Sequence, residues 1–435
     1  MSSKFPIGVA IKYIPKFLLL TSFIFILLTS CTPINSPTQS EQTQNKNIID
    51  LEINIPKNVK LESGNKEDKQ DDYELNKEII VLFSNQDDKQ MIKQFINILE
   101  LAIYKKNLTG TSLEIKFFNN EQELENIIMK TKKVGRVYIG PTKIEHTKVA
   151  KKHCNNQVIF FSFSSDTSLA TRCIFLINFF PKNELEQLFL SLDNGSKVAL
   201  LYPENNYGYN LNMIIDEIVN DSDAVLVNRA SYKNDLSNVR DAIKELGKYD
   251  LRKYELERQK QILSKNNDQK SKLRLKKLNK FKTTNDYEFT HILLADYGLN
   301  LLQVAPLLPY YDIDPNIVQF LGTGVIDDNN FFIEPSLQGA IFPGVEKIKR
   351  LQLLDEYKDI YDENLLRIST LPYDLIGLIN YLYSNNLKIK ETYNLLNSNK
   401  IKFDGVDGKF YFKQNMIERN LDILQISNGS ALKIN

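Results

Sequence analysis

Histidine and cysteine, which most often bind metal ions or act as nucleophiles, are few in this chain and far apart. The 435 residues include three histidines (His146, His153 and His291) and three cysteines, and none of their spacings matches a metal site. The sequence also lacks a P-loop, a G-x-G-x-x-G turn, a G-x-S-x-G elbow and an H-E-x-x-H helix. We therefore expect a protein that is not an enzyme and that uses neither a metal nor a cofactor.

Polar and aromatic residues follow several apolar segments of the chain. Nine of them form the set that we expect to bind a ligand: Pro141, Thr142, Ser162, Ser164, Asp166, Tyr207, Asp296, Tyr297 and Thr323. If the apolar segments are parallel strands, their carboxyl ends meet at one crevice, which is where such folds bind small molecules. The sequence does not identify that small molecule.

Each of these residues also has a structural interpretation. Ser162, Ser164 and Asp166 end a strand where an anionic group could bind, but Ser and Asp are equally favoured as helix N-caps. Tyr207 either closes over a ligand or packs on its own loop. Asp296 and Tyr297 either line the cleft or cap a helix and pack on the surface. Residues 322–324 form a turn at which backbone can approach a ligand, or simply a turn. The segment DGVDG (404–408) is interpreted as a hairpin turn without calcium chemistry.

The elements that must position these residues alternate between strand and helix. The predicted strands are near-continuous apolar runs at 78–83, 113–118, 134–140, 157–163, 197–203, 224–230, 290–296 and 317–323. Segments with apolar residues at helical spacing, such as 90–106 and 211–221, lie between them. The alternation predicts an α/β protein of two doubly wound lobes, with four strands in each and a central cleft.

Charge is nearly balanced in the chain as a whole but not in one segment. The formal net charge of +1 argues against a nucleic-acid partner. Residues 251–285, however, carry 12 Lys and Arg against 3 Asp and Glu, with Leu and Tyr at helical spacing. We expect a helical insert in lobe two, which is either a solvated protrusion or a docking arm for an anionic partner.

The first thirty residues combine a basic start with a short apolar run. Lys4, Lys12 and Lys16 precede an uncharged run from Phe17 to Ser30, which is too short to span a bilayer comfortably. The four residues Leu28-Thr29-Ser30-Cys31 resemble the bacterial lipobox. This resemblance implies that the Cys31 thiol receives a diacylglycerol, that the peptide before it is removed, and that the new amino terminus is acylated (palmitate among the acyl groups). A plain signal peptide or anchor helix that ends at a cysteine by chance is the alternative.

Cleavage before Cys31 has consequences for location. It removes three lysines and no acid, so the net charge of the mature chain becomes −2. Thr32 stands where an Asp would favour inner-membrane retention, so by analogy we expect a lipid-anchored protein of the cell envelope on the periplasmic face of the outer membrane. Residues 31–76 are polar and poor in aromatics, and we interpret them as a disordered tether. In that oxidising compartment Cys154 and Cys173 either pair or remain isolated thiols.

Several segments also resemble a known family. VYIGPTK (137–143), VIFFSFSSDTSLA (158–170) and VALLYPENNYGYN (198–210) resemble the cleft loops and lobe crossing of type I periplasmic binding proteins, the leucine-binding-like group. Within it, residues 301–328, 334–343 and 403–426 resemble lipoproteins of alphaproteobacteria that activate penicillin-binding proteins. The resemblance covers about residues 77–430 and implies a bilobal binding module in which the cleft loops hold the ligand.

The resemblance fixes the expected domain organisation. We predict a signal peptide (1–30), the tether (31–76) and a bilobal domain (77–435). Lobe one is expected at about 77–183 and 340–375, lobe two at about 195–338 with the insert 251–285, and a C-terminal segment (376–435) packs across the lobes.

The chain departs from the family pattern at two places. The first strand runs into VLFSNQDD (81–88) without the usual P-L-S/T-G loop, and no acid stands near Thr323 to hold a ligand's ammonium group, since Asp327 and Asp328 come later. Two functions follow as hypotheses. One is a non-enzymatic activator or scaffold that contacts a peptidoglycan synthase, and the other is a solute receptor that delivers amino acids or related metabolites to the permease of an ABC transporter.

Overall fold

Two mixed sheets, each covered by helices, form the folded part of the chain. The computed structural model describes residues 73–345, 348–398 and 401–434. The predicted signal peptide, Cys31 and most of the predicted tether lie outside these residues. Within the described part of the chain, no helix is both long and apolar enough to span a bilayer.

The strands occur in the order that the apolar runs predict. They are β1 (Glu78–Ser84), β2 (Ser112–Phe118), β3 (Arg136–Ile139), β4 (Val158–Ser162), β5 (Ile174–Leu176), β6 (Lys197–Pro203), β7 (Val225–Tyr232), β8 (His291–Leu294), β9 (Gln319–Leu321), β10 (Ile341–Gly344), β11 (Phe403–Gly405), β12 (Gly408–Lys413), β13 (Met416–Arg419), β14 (Asp422–Ser427) and β15 (Ser430–Lys433). All eight predicted strands are present.

The helices lie between and after these strands. They are α1 (Lys89–Lys105), α2 (Glu121–Thr131), α3 (Ile144–Lys152), α4 (Pro181–Leu190), α5 (Asn206–Asn220), α6 (Val239–Leu246), α7 (Tyr249–Ser264), α8 (Gln269–Leu278), α9 (Gly298–Val304), α10 (Leu307–Tyr310), α11 (Asn329–Phe332), α12 (Ile348–Tyr361), α13 (Leu371–Ser384) and α14 (Ile389–Leu396). Local sequence explains their starts: Asp88, for example, accepts a hydrogen bond from the Met91 N–H at 2.8 Å and caps α1.

Lobe one contains the first sheet, whose strand order is β11-β12-β13-β5-β4-β3-β1-β2. Strands β1 to β5 are parallel, and β13 joins them in parallel before the antiparallel pairs to β12 and β11. Their apolar side chains share one core with those of helices that include α1, α12, α13 and α14. Cys154 and Cys173 form a disulfide in this lobe, with their Cα atoms 5.7 Å apart.

Lobe two contains the second sheet, with the order β15-β14-β10-β9-β8-β6-β7. Strands β6 to β10 are parallel, whereas β14 and β15 are antiparallel. Apolar clusters lie on its two faces, one containing residues of α4 and α5, the other residues of α6, α9 and α11. The fold class predicted from the sequence, two doubly wound lobes with a helical insert (α7 and α8) in lobe two, is therefore confirmed.

Three boundaries differ from those expected. The folded body already includes residues 73–76 of the predicted tether, since Leu75 is buried and the Asn76 N–H donates to the Gly135 carbonyl at 2.7 Å. Strand β10, expected in lobe one, pairs with β9 and β14 of lobe two. The C-terminal segment is divided: residues up to β13 belong to lobe one, and β14 and β15 to lobe two.

Three crossings join described residues of one lobe to described residues of the other, and side chains link two of these crossings. They lie between β5 and β6, between β10 and α12, and between β13 and β14. Gln187 of α4, in the first crossing, donates to the Arg419 carbonyl at 2.9 Å and accepts from the Leu421 N–H at 2.7 Å in the third. Asn183 accepts from the Arg419 N–H at 3.1 Å.

Candidate functional site

The predicted site residues of lobe one lie together at the carboxyl ends of β3 and β4, but they bond mainly to one another. The Ser162 hydroxyl donates to the Pro141 carbonyl at 2.9 Å, lies 2.8 Å from the Thr147 hydroxyl and accepts from the Ser164 N–H at 3.2 Å. Ser162 and Ser164 are fully buried. These hydroxyls therefore hold the strand ends together.

Asp166 fills the role of a helix cap. Its carboxylate accepts hydrogen bonds from the Ser168 N–H at 3.0 Å and the Ser168 hydroxyl at 2.7 Å, at the start of a short 3-10 helix. Its own N–H donates to the Ser164 hydroxyl oxygen at 3.2 Å. The capping alternative thus accounts for the hydrogen bonds that Asp166 makes.

Asp87 is a member of this cluster that the sequence did not reveal. Its carboxylate accepts from the Thr142 hydroxyl at 2.8 Å and from the Ser84 N–H at 3.0 Å, and Lys143 lies 3.8 Å away. Asp87 is buried, so this acid is compensated by donors from the ends of β1 and β3. The segment SNQDD does not by itself identify Asp87 as a member of the cluster, because an acid after a strand is common in turns.

The predicted residues of lobe two form a second cluster, at the ends of β6, β8 and β9. The hydroxyls of Tyr207 and Thr323 share a hydrogen bond of 2.9 Å, and the rings of Tyr207 and Tyr297 pack edge to face with centroids 5.0 Å apart. Burial raises the pKa of the Tyr207 hydroxyl, so it stays protonated. Tyr297, by contrast, is 50% exposed and offers an aromatic surface.

The start of α5 explains why Tyr207 occupies this position. Asn205 caps the helix by accepting from the Gly208 N–H at 2.9 Å. A Cβ at Gly208 would collide with the Pro203 carbonyl, so only glycine lets the helix begin so close to the strand. Tyr207 is thereby held between the strand end and Thr323.

Asp296 is buried behind this aromatic pair. Its carboxylate accepts from the Tyr232 hydroxyl at 2.5 Å and from the Tyr297 N–H at 2.8 Å. Burial raises the pKa of Asp296 above its usual value, although the two donors oppose the shift. Asp296 therefore orders the end of β8, and no other hydrogen bond joins it to a described residue.

The two predicted clusters are not joined by a hydrogen bond between described residues. Contacts between the lobes are made instead by residues outside the predicted set. Arg367, next to α13 of lobe one, donates to the Gly324 carbonyl of lobe two and to Glu184 at 3.2 Å, while Glu184 accepts from the Gly324 N–H at 2.9 Å. The turn at residues 322–324, expected to face a ligand, is therefore held by an arginine of the opposite lobe.

A second arginine makes a parallel link nearby. Arg350 of α12 contacts Asp327, which follows the turn after β9, and lies 3.3 Å from Asp407 in the turn between β11 and β12. All three side chains are at least 95% buried. Burial alone would lower the pKa of Arg350, but Asp407 and Asp327 outweigh it and raise that pKa. The guanidinium thus stays charged between one acid of each lobe.

Further buried charges extend this interlobe network. Burial and the nearby Asp407 raise the pKa of the Asp374 carboxyl to about 7, although it accepts from the Val406 N–H at 2.9 Å. Burial lowers the pKa of Arg419, which donates to the Asn178 carbonyl at 2.9 Å. The ring of Phe179 lies between Arg367 at 4.1 Å and Arg419 at 4.5 Å.

The described histidines are in separate places: His146 packs on Phe118, His153 lies 3.4 Å from Glu125, and His291 contacts the Thr290 hydroxyl at 2.8 Å. Among the described residues, no group of three or more His, Cys, Asp or Glu side chains is placed to hold a metal ion. The groups that the two predicted clusters contain are hydroxyls, carboxylates and aromatic rings.

The arrangement of the two lobes identifies the fold. Two doubly wound lobes joined by three crossings, with polar clusters at the strand ends of both, constitute the fold of the type I periplasmic binding proteins. This is the fold that the sequence resemblance implied. No family model and no curated protein matches the chain by sequence.

Among solved structures, similar ones include both transport and regulatory proteins. A protein of Rhodospirillum rubrum described as a branched-chain amino acid ABC transporter matches 82% of this chain and 99% of its own, with a TM-score of 0.60 and 11% identity. A solute-binding protein of Rhodopseudomonas palustris, solved with 3,4-dihydroxybenzoic acid, matches 82% and 96% with a TM-score of 0.54 and 12% identity. The C-domain of LpoA from Haemophilus influenzae, a regulator of PBP1A, matches 82% and 100% with a TM-score of 0.53 and 12% identity.

Proposed function

We propose that this chain is a lipid-anchored, non-enzymatic binding module on the periplasmic face of the outer membrane, which activates or scaffolds a peptidoglycan synthase. The observation that carries the proposal is the pair of arginine links between the lobes. Arg350 and Arg367 fasten residues 324–327 of lobe two to lobe one, at the turn where a receptor would hold its ligand.

The energy of these links favours a fixed body over a closing receptor. A solute receptor exchanges its ligand by rotating one lobe away from the other. An opening rotation of this kind would have to separate Arg350 from Asp327, and their buried ion pair opposes it. The links therefore favour the closed arrangement of the two lobes over an open one. A folded body of constant shape presents a fixed surface, which a partner protein can recognise.

The anchor is part of the same proposal. The lipobox-like segment ends at Cys31, and roughly 40 residues separate Cys31 from the folded body, a length of up to about 140 Å when extended. Such a connection lets a lipid-anchored body reach a partner well away from the membrane that holds it. Similarity in fold to LpoA, a regulator of PBP1A, points to the same kind of partner.

The proposal is tested by capture in intact cells. A photo-crosslinking residue is introduced at Tyr297 of lobe two and, in a separate variant, at Phe117 of lobe one, because both side chains are exposed. We expect crosslinks to a peptidoglycan synthase, and faster glycan polymerisation when the purified chain is added to that synthase. Crosslinks to a permease and none to a synthase would contradict the proposal. A probe at the exposed Leu190 on α4 provides a control for non-specific capture.

The alternative is a solute receptor for amino acids or related metabolites that serves an ABC transporter. The half-exposed ring of Tyr297 beside Tyr207 favours it, because such a surface can stack on a ligand. Since the acids beside this turn, Glu184 and Asp327, are already paired with Arg367 and Arg350, we expect free amino acids to bind with dissociation constants of about 1 mM or weaker. Isothermal titration with the twenty amino acids measures this. Micromolar binding that disappears in Tyr297→Ala would favour the receptor.

A further inference from the structure

The helical insert is a hairpin of α7 and α8 that is rigidly attached to lobe two. Arg252, near the start of α7, is almost fully buried and makes five hydrogen bonds, with the Gly247, Thr284, Tyr311 and Asp312 carbonyls and the Thr283 hydroxyl. Its guanidinium also lies 4.5 Å from the ring of Tyr287. One side chain thus joins both ends of the hairpin to the body, so the hairpin keeps a defined orientation.

The hairpin has an inner face that packs and an outer face that does not. Arg252, Leu256 and Ser271 are buried on the inner side. On the outer side of α7, a stripe at helical spacing carries exposed apolar and basic residues: Leu251, Tyr254, Arg258, Ile262 and Lys265. On α8, Leu273 has Lys270, Lys276 and Lys277 three or four positions away.

The basic charge of the exposed surface of the hairpin is largely uncompensated. Among the twelve basic residues of 251–285, Arg252 is buried, Arg258 pairs with Glu255, and Lys260 pairs with Glu257. The other nine, eight of them lysines, form no salt bridge with any described residue: Lys253, Lys265, Lys270, Lys272, Arg274, Lys276, Lys277, Lys280 and Lys282. This surface therefore fits a partner of negative charge.

We propose that the outer face of the hairpin lies on an anionic phospholipid surface. Charge alone would also fit a polyanion, but Tyr254, Ile262 and Leu273 are 67%, 53% and 58% exposed and would remain in water on such a partner. Helices that lie in a membrane interface combine lysines on long stems with apolar side chains that enter the acyl boundary.

A protein partner explains the composition less well. Protein interfaces are depleted in lysine and place their apolar residues in one contiguous core. In the hairpin, lysines predominate and the exposed apolar side chains stand singly between them. The inference depends on neither the synthase nor the acyl anchor, because it concerns a face of lobe two alone.

The test is vesicle sedimentation with the chain from residue 31 onwards carrying Cys31→Ser, so that no acyl group contributes. Vesicles of phosphatidylcholine with 30% phosphatidylglycerol are compared with vesicles of phosphatidylcholine alone. We expect binding to the anionic vesicles only. A basic side chain near such a surface contributes about fivefold to affinity. The triple variant Lys270→Gln, Lys276→Gln, Lys277→Gln should therefore lose about 100-fold.

Two further variants decide what the surface recognises. Ile262→Gln with Leu273→Gln keeps every charge, and we expect it to weaken binding at least several-fold. Replacing three exposed lysines of lobe one, Lys130, Lys148 and Lys409, by Gln is the matched control and should change little. No binding to anionic vesicles, or equal loss in the control, overturns the proposal. Binding that the lysine variant loses but the Ile262/Leu273 variant keeps also overturns it, and favours a soluble polyanion or acidic protein instead.

Discussion

Replacing Arg350 by Met tests the interlobe network most directly. The substitution keeps an unbranched apolar chain but removes the guanidinium that lies between Asp327 of lobe two and Asp407 of lobe one. Both carboxylates are at least 97% buried, so neither can replace the lost partner with bulk water. The result is an uncompensated pair of negative charges in the protein interior.

The expected loss in the free energy of unfolding follows from that burial. Removing one partner of a buried ion pair costs about 3–5 kcal/mol. For a body of this size, about 2 °C of melting temperature corresponds to each kcal/mol, so we expect a decrease of roughly 6–10 °C. Because Arg350 links the lobes, calorimetry should also show the single transition broadening or dividing in two.

The control is an arginine of similar geometry in a different environment. Arg229 lies 2.7 Å from Asp216, but the two side chains are 39% and 54% exposed. Arg229→Met should therefore cost less than about 1 kcal/mol. Equal losses in Arg350→Met and Arg229→Met would refute the reasoning, since burial would then make no difference.

Three other perturbations have defined outcomes. The pKa of Asp374 in the folded state, about 7, lies above that of an unfolded aspartate, so this group destabilises the fold increasingly as pH rises through about 4 to 7. The variant Asp374→Asn keeps an acceptor for the Val406 N–H. By urea unfolding it should be more stable than the wild type by about 2–4 kcal/mol at pH 8 and nearly equal to it at pH 4. Arg252→Ala should destabilise the body by about 3 kcal/mol because it leaves buried carbonyls without donors, whereas Lys276→Gln should be neutral within about 0.5 kcal/mol in the same denaturation experiment. Cells grown with a clickable palmitate should label the wild type but not Cys31→Ala, and equal labelling would exclude Cys31 as the acylated residue.

The fold was predictable because its signals are local. Most of the eight expected strands are apolar runs buried on both faces, as in β1 and β6, whereas β2 and β7 at the sheet ends are only partly buried. Strands that were missed lack that signal: β5 has three residues, and β12, next to the terminal strand of its sheet, has alternating burial along its length. Their pairing depends on partners far away in the sequence.

The site was predictable only in part, for the same reason. Proximity to strand ends predicts one crevice lined by all nine residues, whereas the structure groups them in two clusters in which hydroxyls bond to neighbouring protein groups. The interlobe contacts join Glu184 to Gly324, 140 residues further along the chain, and to Arg367, 183 residues further along. The segment DGVDG predicts a turn at Asp407. Nothing in that segment indicates that Arg350 lies against the Asp407 carboxylate. Such pairs are created by the tertiary fold.

The attachment of the hairpin through Arg252 has a mechanical consequence. A force applied to α7 and α8 reaches lobe two through five hydrogen bonds of one buried side chain, and reaches lobe one through Arg350 and Arg367. A hairpin held in this way keeps its tilt relative to lobe two, so a surface that orients the hairpin also orients lobe two.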